Sequence, residues 1–291
     1  MATVTDFSND IRPTWCPGCG DFGIWNALKR ALVQADLTPR EVMLVSGIGC
    51  GSKINDYMTI NGLHTLHGRA LAVATGYKLA NHAMHVICVH GDGDGYGMGG
   101  NHMMHAVRRN IGILDIVQDN HVYGLTKGQY SPTSQAGFRT KTSPHGALDR
   151  PVNPLALALS QGATFAARGF ALDLRNLIEL MVEGIQHRGY ALIDVMQPCV
   201  TFNKGMDYDW FTEHTYQLED EGHDPSDRMA AMARAFEYPG GERIPLGIIY
   251  RTEDVPSYEE QVPTLEAGPL AAQPLRTRPS EDYRQLLQEL A

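Results

Sequence analysis

From residue 42 to residue 178 this 291-residue chain contains no glutamate at all. It also has no run of about 18 apolar residues, which excludes a membrane-spanning helix, and no run of more than two Lys or Arg. With a formal charge of −9, that lack of basic clusters excludes a surface that tracks nucleic-acid phosphates. Cysteine is scarce, at five residues, too few for a disulfide scaffold. Thiols so sparse point to a reducing compartment, where they bind metal or react. Residues 1–14 carry Asp6, Asp10 and Pro13 and no apolar stretch, so they do not read as a signal peptide. The expectation is a cytoplasmic protein with neither a membrane nor a nucleic acid as partner. At 43% hydrophobic and 20% charged residues, the composition is that of a folded enzyme rather than a disordered chain.

What is present is an alternation. Val42–Val45, Val86–Val89, Leu114–Val117 and Ala191–Val195 read as buried strands of a parallel sheet covered on both faces. Between them lie helical patterns at about Gly23–Ala35, Arg69–Met84, Gly99–Arg109, Pro154–Gln161 and Leu174–His187. This predicts a doubly wound, mostly parallel α/β sheet over residues 1–205, with ligands bound beyond the carboxyl ends of the strands. Residues 206–291 read as a C-terminal extension packing on the domain or on a partner subunit. It holds a helix at Asp227–Phe236, a strand at Leu246–Tyr250, a Pro-containing tail and a last short helix.

The strand ending at Val89 runs into a segment in which six of the ten residues 91–100 are Gly. Glycines between a strand and a helix let backbone N–H groups approach a phosphate. Gly95, Gly97 and Gly100 even satisfy G-x-G-x-x-G, with Asp119 downstream, so a nicotinamide cofactor is one reading. Asp92 and Asp94 argue against it, since two carboxylates repel a bare pyrophosphate unless a divalent cation intervenes. Gly91-Asp-Gly93, then 26 residues, then Asn120 resembles the thiamine-diphosphate motif. That resemblance implies Mg²⁺ held by Asp92, the Asn120 side chain and the Val122 carbonyl. Gly91, Gly93, Asp94, Tyr123, Gly124 and Thr126 would then lie around the diphosphate.

Trp15-Cys16-Pro-Gly-Cys19 looks superficially like a thioredoxin motif but lacks the strand that should precede it. Cys16 and Cys19 offer two thiolates, and Cys50 and Cys199, each just after a strand, would complete four. Four thiolates suit tetrahedral Zn²⁺ or a [4Fe–4S] cluster, and spacing does not separate the two. Cys88, inside a strand, reads as core. His64/His67 and His102/His105 show three-residue spacings but no third ligand in register.

The ordered set Cys-Pro-Gly-Cys at 16–19, Gly-Ile-Gly-Cys at 47–50, Leu66-His-Gly-Arg-Ala70, Gly-Asp-Gly at 91–93, Asp119-Asn-His-Val-Tyr-Gly-Leu-Thr126 through Gln129-Tyr-Ser-Pro-Thr133, and Gln197-Pro-Cys199 resembles the β subunit of two-subunit 2-oxoacid:ferredoxin oxidoreductases. The resemblance implies a thiamine-diphosphate-binding fold, Mg²⁺, and one [4Fe–4S] cluster on Cys16, Cys19, Cys50 and Cys199. It also puts the Ile48–Gly49 backbone and His67 beside the cofactor. CoA-linked oxidative decarboxylation of a 2-oxoacid, or its reductive reverse, would send electrons singly through the cluster to a separate ferredoxin. Lys53 and Leu125 are the candidate substrate residues. A cation for a distal carboxylate favours 2-oxoglutarate over pyruvate, although Lys53 could equally meet the diphosphate or solvent. Thiamine enzymes activate the aminopyrimidine with a Glu, and the glutamate-free stretch leaves none to do it. The chain therefore reads as having no certain catalytic residue of its own, with an α subunit supplying that Glu in a dimer of αβ heterodimers. A non-redox thiamine decarboxylase subunit with a structural zinc is the other reading.

Overall fold

Continuous apolar runs fit the interior of a parallel sheet, and the computed structural model, which describes residues 2–239, 241–274 and 280–290, places them there. The four expected strands are β1 (Val42–Ser46), β3 (His85–Gly91), β4 (Ile113–Asp119) and β8 (Ala191–Met196). With β2 (Asn61–His64) and β7 (Phe165–Phe170) they form six parallel strands in the order β2-β1-β3-β4-β8-β7. Strand β10 (Ile244–Arg251) continues the sheet antiparallel to β7, and β9 (Thr215–Gln217) pairs with β10 at the edge.

Side chains alternate between the two faces of each strand. Ile87 and Val89 of β3 pack with Leu28 and Leu32 of α1 (Asp21–Gln34) and Leu177 and Met181 of α5 (Leu174–Gln186). Val86 and Cys88 pack on the other side with α2 (Ala70–Ala80), α3 (Gly100–Arg109), α4 (Pro154–Ser160) and α7 (Arg228–Ala235). Cys88 is fully buried in that layer, the place expected of it.

Three strands of this sheet escaped the sequence pattern: β9, only three residues long and half-buried throughout, and two others for physical reasons. Strand β2 lies at an edge with all four residues exposed, so it carries no apolar signal. Strand β7 reads Phe-Ala-Ala-Arg-Gly-Phe, poor in β-branched residues. It is a strand because it pairs with β8 on one side and β10 on the other and buries all six residues, and there buried Arg168 stands opposite Asp194 of β8 and donates from Nε to Oδ2 at 3.0 Å. Tyr96 donates to the other oxygen of Asp194 at 2.9 Å, so both oxygens of the buried carboxylate are hydrogen-bonded.

Beyond residue 205 the chain adds α6 (Tyr208–His214), whose Phe211 packs with Phe170, Met196, Tyr238, Ile244 and Leu246. The tail lies on this chain's own body, with Leu265 buried and Leu270–Ala272 against α2. Asn110 donates to the carbonyls of Val255 and Pro256 at 3.1 and 3.2 Å, and Arg188 pairs with Glu260 at 2.6 Å. Pro279 lies outside the described residues, and α8 (Ser280–Glu289) is the expected last helix. Among the described residues no helix is long and apolar enough to cross a membrane.

At the amino ends of the strands, Thr164 bridges Asn110 Oδ1 (2.7 Å) and His187 Nε2 (2.8 Å). Burial, with Arg251 nearby, depresses His187 to about 4. A histidine held neutral in the folded chain but titrating near 6.5 when unfolded contributes stability that is complete above 6.5 and lost as pH falls towards 4. Urea midpoints should therefore drop between pH 7 and pH 4.5 in the native chain, and His187→Gln should show a shallower drop. Parallel curves for the two proteins would contradict this assignment.

Candidate active site

In a parallel sheet all carboxyl ends point one way, so the segments following β1, β3, β4 and β8 meet along one edge. They enclose a cleft of about 480 Å³. Its lining includes Ile48, Gly49, His67, Gly91, Asp92, Gly93, Asp94, Asn120, Val122, Tyr123, Gly124 and Thr126, every residue expected around the cofactor and its metal.

The turn after β3 is a single π-helical segment, Gly93–Met98, leading into α3. It sits hard against β5 (Val122–Tyr123), which pairs with β6 (Gln129–Tyr130). Tyr123 donates its hydroxyl to the Gly93 carbonyl at 3.1 Å, and a Cβ on Gly93 would lie 2.1 Å from the Tyr123 ring. Only glycine fits that approach.

Both oxygens of Asp94 are taken by protein donors. Oδ1 accepts from the amides of Ile48 (3.0 Å) and Gly68 (2.9 Å), and Oδ2 faces His90 Nδ1 at 3.1 Å. His67 Nδ1 stands 3.2 Å from Oδ1 but off the line of a hydrogen bond. Asp94 thus ties the loops after β1 and β2 to the glycine turn. His90 reaches Asp115 with its other nitrogen at 2.7 Å. Burial pulls its pKa down, yet Asp115 and Asp94 together hold it up at about 10, an imidazolium donating both ways.

Asp92 and Asp119 share one hydroxyl. Thr133 Oγ1 lies 2.7 Å from Asp92 Oδ2 and 2.6 Å from Asp119 Oδ1, and one hydrogen cannot serve two carboxylates. Burial and then Asp119 push Asp92 up to about 7, while His121 and Thr133 hold Asp119 low against its own burial. Asp119 is therefore enclosed and does not offer the open carboxylate that a nicotinamide ribose would need. Asp92, the Asn120 amide and Val122 make an oxygen-rich donor set that suits Mg²⁺. A cation beside Asp92 would supply the missing positive charge.

Gln118 also lines this cleft, buried, and both polar atoms of its amide lack any partner. An amide so placed costs about 1–3 kcal/mol per unsatisfied group unless a polar ligand meets it. The orphaned amide fits a cleft built for a polar cofactor.

A second cleft of about 710 Å³ adjoins the first, and its lining includes Cys16, Cys19, Cys50 and Cys199 together with Lys53 and Leu125. Trp15 holds it together by donating Nε1 to the Cys50 carbonyl at 2.7 Å while packing edge-on to Phe22, Trp25 and Tyr57. The two clefts share Cys50, Asn120, Gly124, Leu125 and Gln197 as a common wall. A Cβ on Gly124 would lie 3.5 Å from Cys50 Sγ and 4.0 Å from Cys199 Sγ. Burial, with buried Asp21 beside them, raises the Cys19 thiol far above its usual range and Cys50 to about 11. Lys53 lies in this second cleft alone, its ammonium 3.0 Å from Thr14 Oγ1, and Leu125 lines both. His64 is occupied by Ser46 and Asp56, and His102 by Arg69.

The sequence reading gave no role to Gln118, Gln197, Thr133 or His90. Gln197 and Thr133 stand in the motifs that carry the resemblance, and His90 and Gln118 had only the signal of polarity at the ends of apolar runs, as in Val89-His90 and Val117-Gln118.

Gly93→Ala is expected to displace the Tyr123 ring, lowering stability by about 1–3 kcal/mol and altering the near-ultraviolet circular dichroism. Native values for both would show that the turn tolerates a side chain.

Comparison with known proteins follows this geometry. Residues 47–195 match the family described as thiamine pyrophosphate enzyme, C-terminal TPP binding domain, and residues 199–267 match the C-terminal family of the pyruvate ferredoxin oxidoreductase beta subunit. The chain is 45% identical over 276 residues to the 2-oxoacid:ferredoxin oxidoreductase subunit beta of a Sulfolobus species, covering 90% of this chain and 88% of that protein. It is 46% identical over 200 residues to the 2-oxoglutarate oxidoreductase subunit KorB of Mycobacterium tuberculosis, covering 69% of this chain and 54% of that one. A solved 2-oxoglutarate:ferredoxin oxidoreductase from Magnetococcus marinus, with 2-oxoglutarate, coenzyme A and succinyl-CoA bound, superposes with a TM-score of 0.88 at 36% identity, covering 98% of this chain and 96% of that one. With a TPP binding domain matched over residues 47–195 and relatives of this kind matched over nearly its whole length, this chain belongs to the β subunits of the 2-oxoacid:ferredoxin oxidoreductases.

Proposed function

We propose that this β subunit, joined to an α subunit and paired into a dimer of αβ heterodimers in the cytoplasm, carries out CoA-linked oxidative decarboxylation of 2-oxoglutarate, or its reductive reverse. Its cofactors in this reading are thiamine diphosphate, Mg²⁺ and one [4Fe–4S] cluster, with ferredoxin as the electron carrier. The observation that carries the reading is the wall shared by the two clefts, where a Cβ added to Gly124 would lie 3.5 Å from Cys50 Sγ and 4.0 Å from Cys199 Sγ.

Bound thiamine diphosphate supplies a carbon nucleophile for the 2-oxo group, and the cluster supplies a one-electron exit. The chain's own residues do the rest. Asp92, Asn120 and Val122 hold Mg²⁺ against the diphosphate, and Gln118 offers an amide to the cofactor. Asp94 keeps the Ile48 and Gly68 loops in place around it. Cys16, Cys19, Cys50 and Cys199 all border one cavity, and four thiolates around one space suit the [4Fe–4S] cluster that a one-electron exit needs. The missing Glu is the α subunit's to supply. The names of the Mycobacterium and Magnetococcus proteins support 2-oxoglutarate as the substrate.

Anaerobically purified αβ complex should be brown with about four iron atoms per β chain, and thiamine diphosphate binding should be lost in EDTA or on Asp92→Ala. A colourless, iron-free complex that still binds thiamine diphosphate would favour the zinc-containing decarboxylase instead. Lys53→Ala should raise KM for 2-oxoglutarate about tenfold or more, the worth of one charge-assisted hydrogen bond, while sparing pyruvate. Equal losses on both substrates would remove Lys53 from substrate recognition.

A further inference from the structure

Gln197, the residue after β8, is buried and lines both clefts. Its backbone is fixed, with its N–H donating to the Asp119 carbonyl at 2.9 Å. Its side chain lies in a line of hydrogen bonds whose direction is set from one end. The Val122 amide, which can only donate, gives its hydrogen to Asn120 Oδ1 at 3.1 Å. The Asn120 oxygen is thereby identified, and its NH₂ must point the other way, to Gln197 Oε1 at 3.1 Å. The Gln197 NH₂ is then left facing Cys19 Sγ at 3.4 Å, beside buried Asp21, whose Oδ2 accepts from Cys19 Sγ at 3.2 Å. Flipping either amide would set donor against donor.

We infer that Gln197 is a positioning residue for both cofactor sites at once: through its oxygen it aims the Asn120 amide oxygen at the metal, and through its NH₂ it hydrogen-bonds the Cys19 sulfur. The inference rests on the reading that Asn120 is a magnesium ligand and Cys19 a cluster ligand. Asn120 Oδ1 has a second lone pair after accepting from Val122, and Gln197 keeps that oxygen rather than the nitrogen turned to the cation. Partners that orient a metal ligand typically change metal affinity ten- to a hundredfold when removed. An N–H···S hydrogen bond stabilises the added negative charge of a reduced cluster, so it raises the reduction potential. One amide therefore touches a ligand of the metal that holds the diphosphate and a ligand of the group that receives its electrons.

Two substitutions separate the halves. Gln197→Glu keeps an acceptor for Asn120 but removes the donor to Cys19, whereas Gln197→Leu removes both. In the anaerobic αβ complex, the cluster midpoint potential is read by redox titration with electron paramagnetic resonance, and the Mg²⁺ requirement by calorimetric titration of thiamine diphosphate. Gln197→Glu should shift the potential negative and keep the native Mg²⁺ requirement. Gln197→Leu should shift it negative and weaken Mg²⁺ about tenfold or more. Native potentials in both variants at full iron content overturn the sulfur contact. An unchanged Mg²⁺ requirement in Gln197→Leu overturns the Asn120 contact. If Gln197→Leu loses its iron, Gln197→Met replaces it as the uncharged variant without a donor, a native potential in the Glu or Met variant still overturns the sulfur contact, and magnesium titration of the iron-free Leu complex still decides the Asn120 contact. A native complex without iron overturns the cluster reading itself and the sulfur half with it, and is distinguished because the native protein, not the variant, lacks the signal.

Discussion

Asp94 holds the working edge of this sheet with one carboxylate. It accepts two backbone amides from loops that follow different strands and faces an imidazolium anchored on a third group, Asp115. A carboxylate withdrawn from water stays charged only with such partners. Burial works to raise its pKa, and His90 with the Ile48 and Gly68 amides more than offsets it. Because Ile48, Gly68 and the glycine turn are bound to one group, the cleft is held open by a few short hydrogen bonds rather than by apolar packing.

The second cleft is organised by a different device. Trp15 buries its ring among Phe22, Trp25 and Tyr57 and spends its single donor on the Cys50 carbonyl. The N-terminal cysteine loop is thereby fastened to the loop after β1, and Cys199 arrives from β8. Four thiols separated by up to 183 residues in sequence border one space because three parallel strand ends and the start of α1 converge there.

The central strands were legible because aliphatic runs buried on both faces leave an unbroken pattern. The glycine turn, the acidic and amide oxygens near it, and the cysteine set were legible because motif chemistry is carried by residue type and spacing. Strand β7 was hidden because its place comes from pairing between β8 and β10, with Arg168 meeting Asp194 across the neighbouring strand, which no local pattern encodes. Asp115 was read past in an apolar run for the same reason: its partners, His90 and Tyr190, come from β3 and from the residue before β8.

Sequence alone determined the residue types at the strand ends, the long absence of glutamate where thiamine chemistry calls for one, and the family resemblance. Only the tertiary structure decided which groups share hydrogens. Lys53 went to the cysteine cleft, Asp94 to holding loops, and Thr133 to bridging two acids. The physical reason is that spacing along a chain fixes which strand end a residue occupies. Whether a buried polar group faces ligand, sulfur or another amide depends on donors brought from other strands, and those are set by packing.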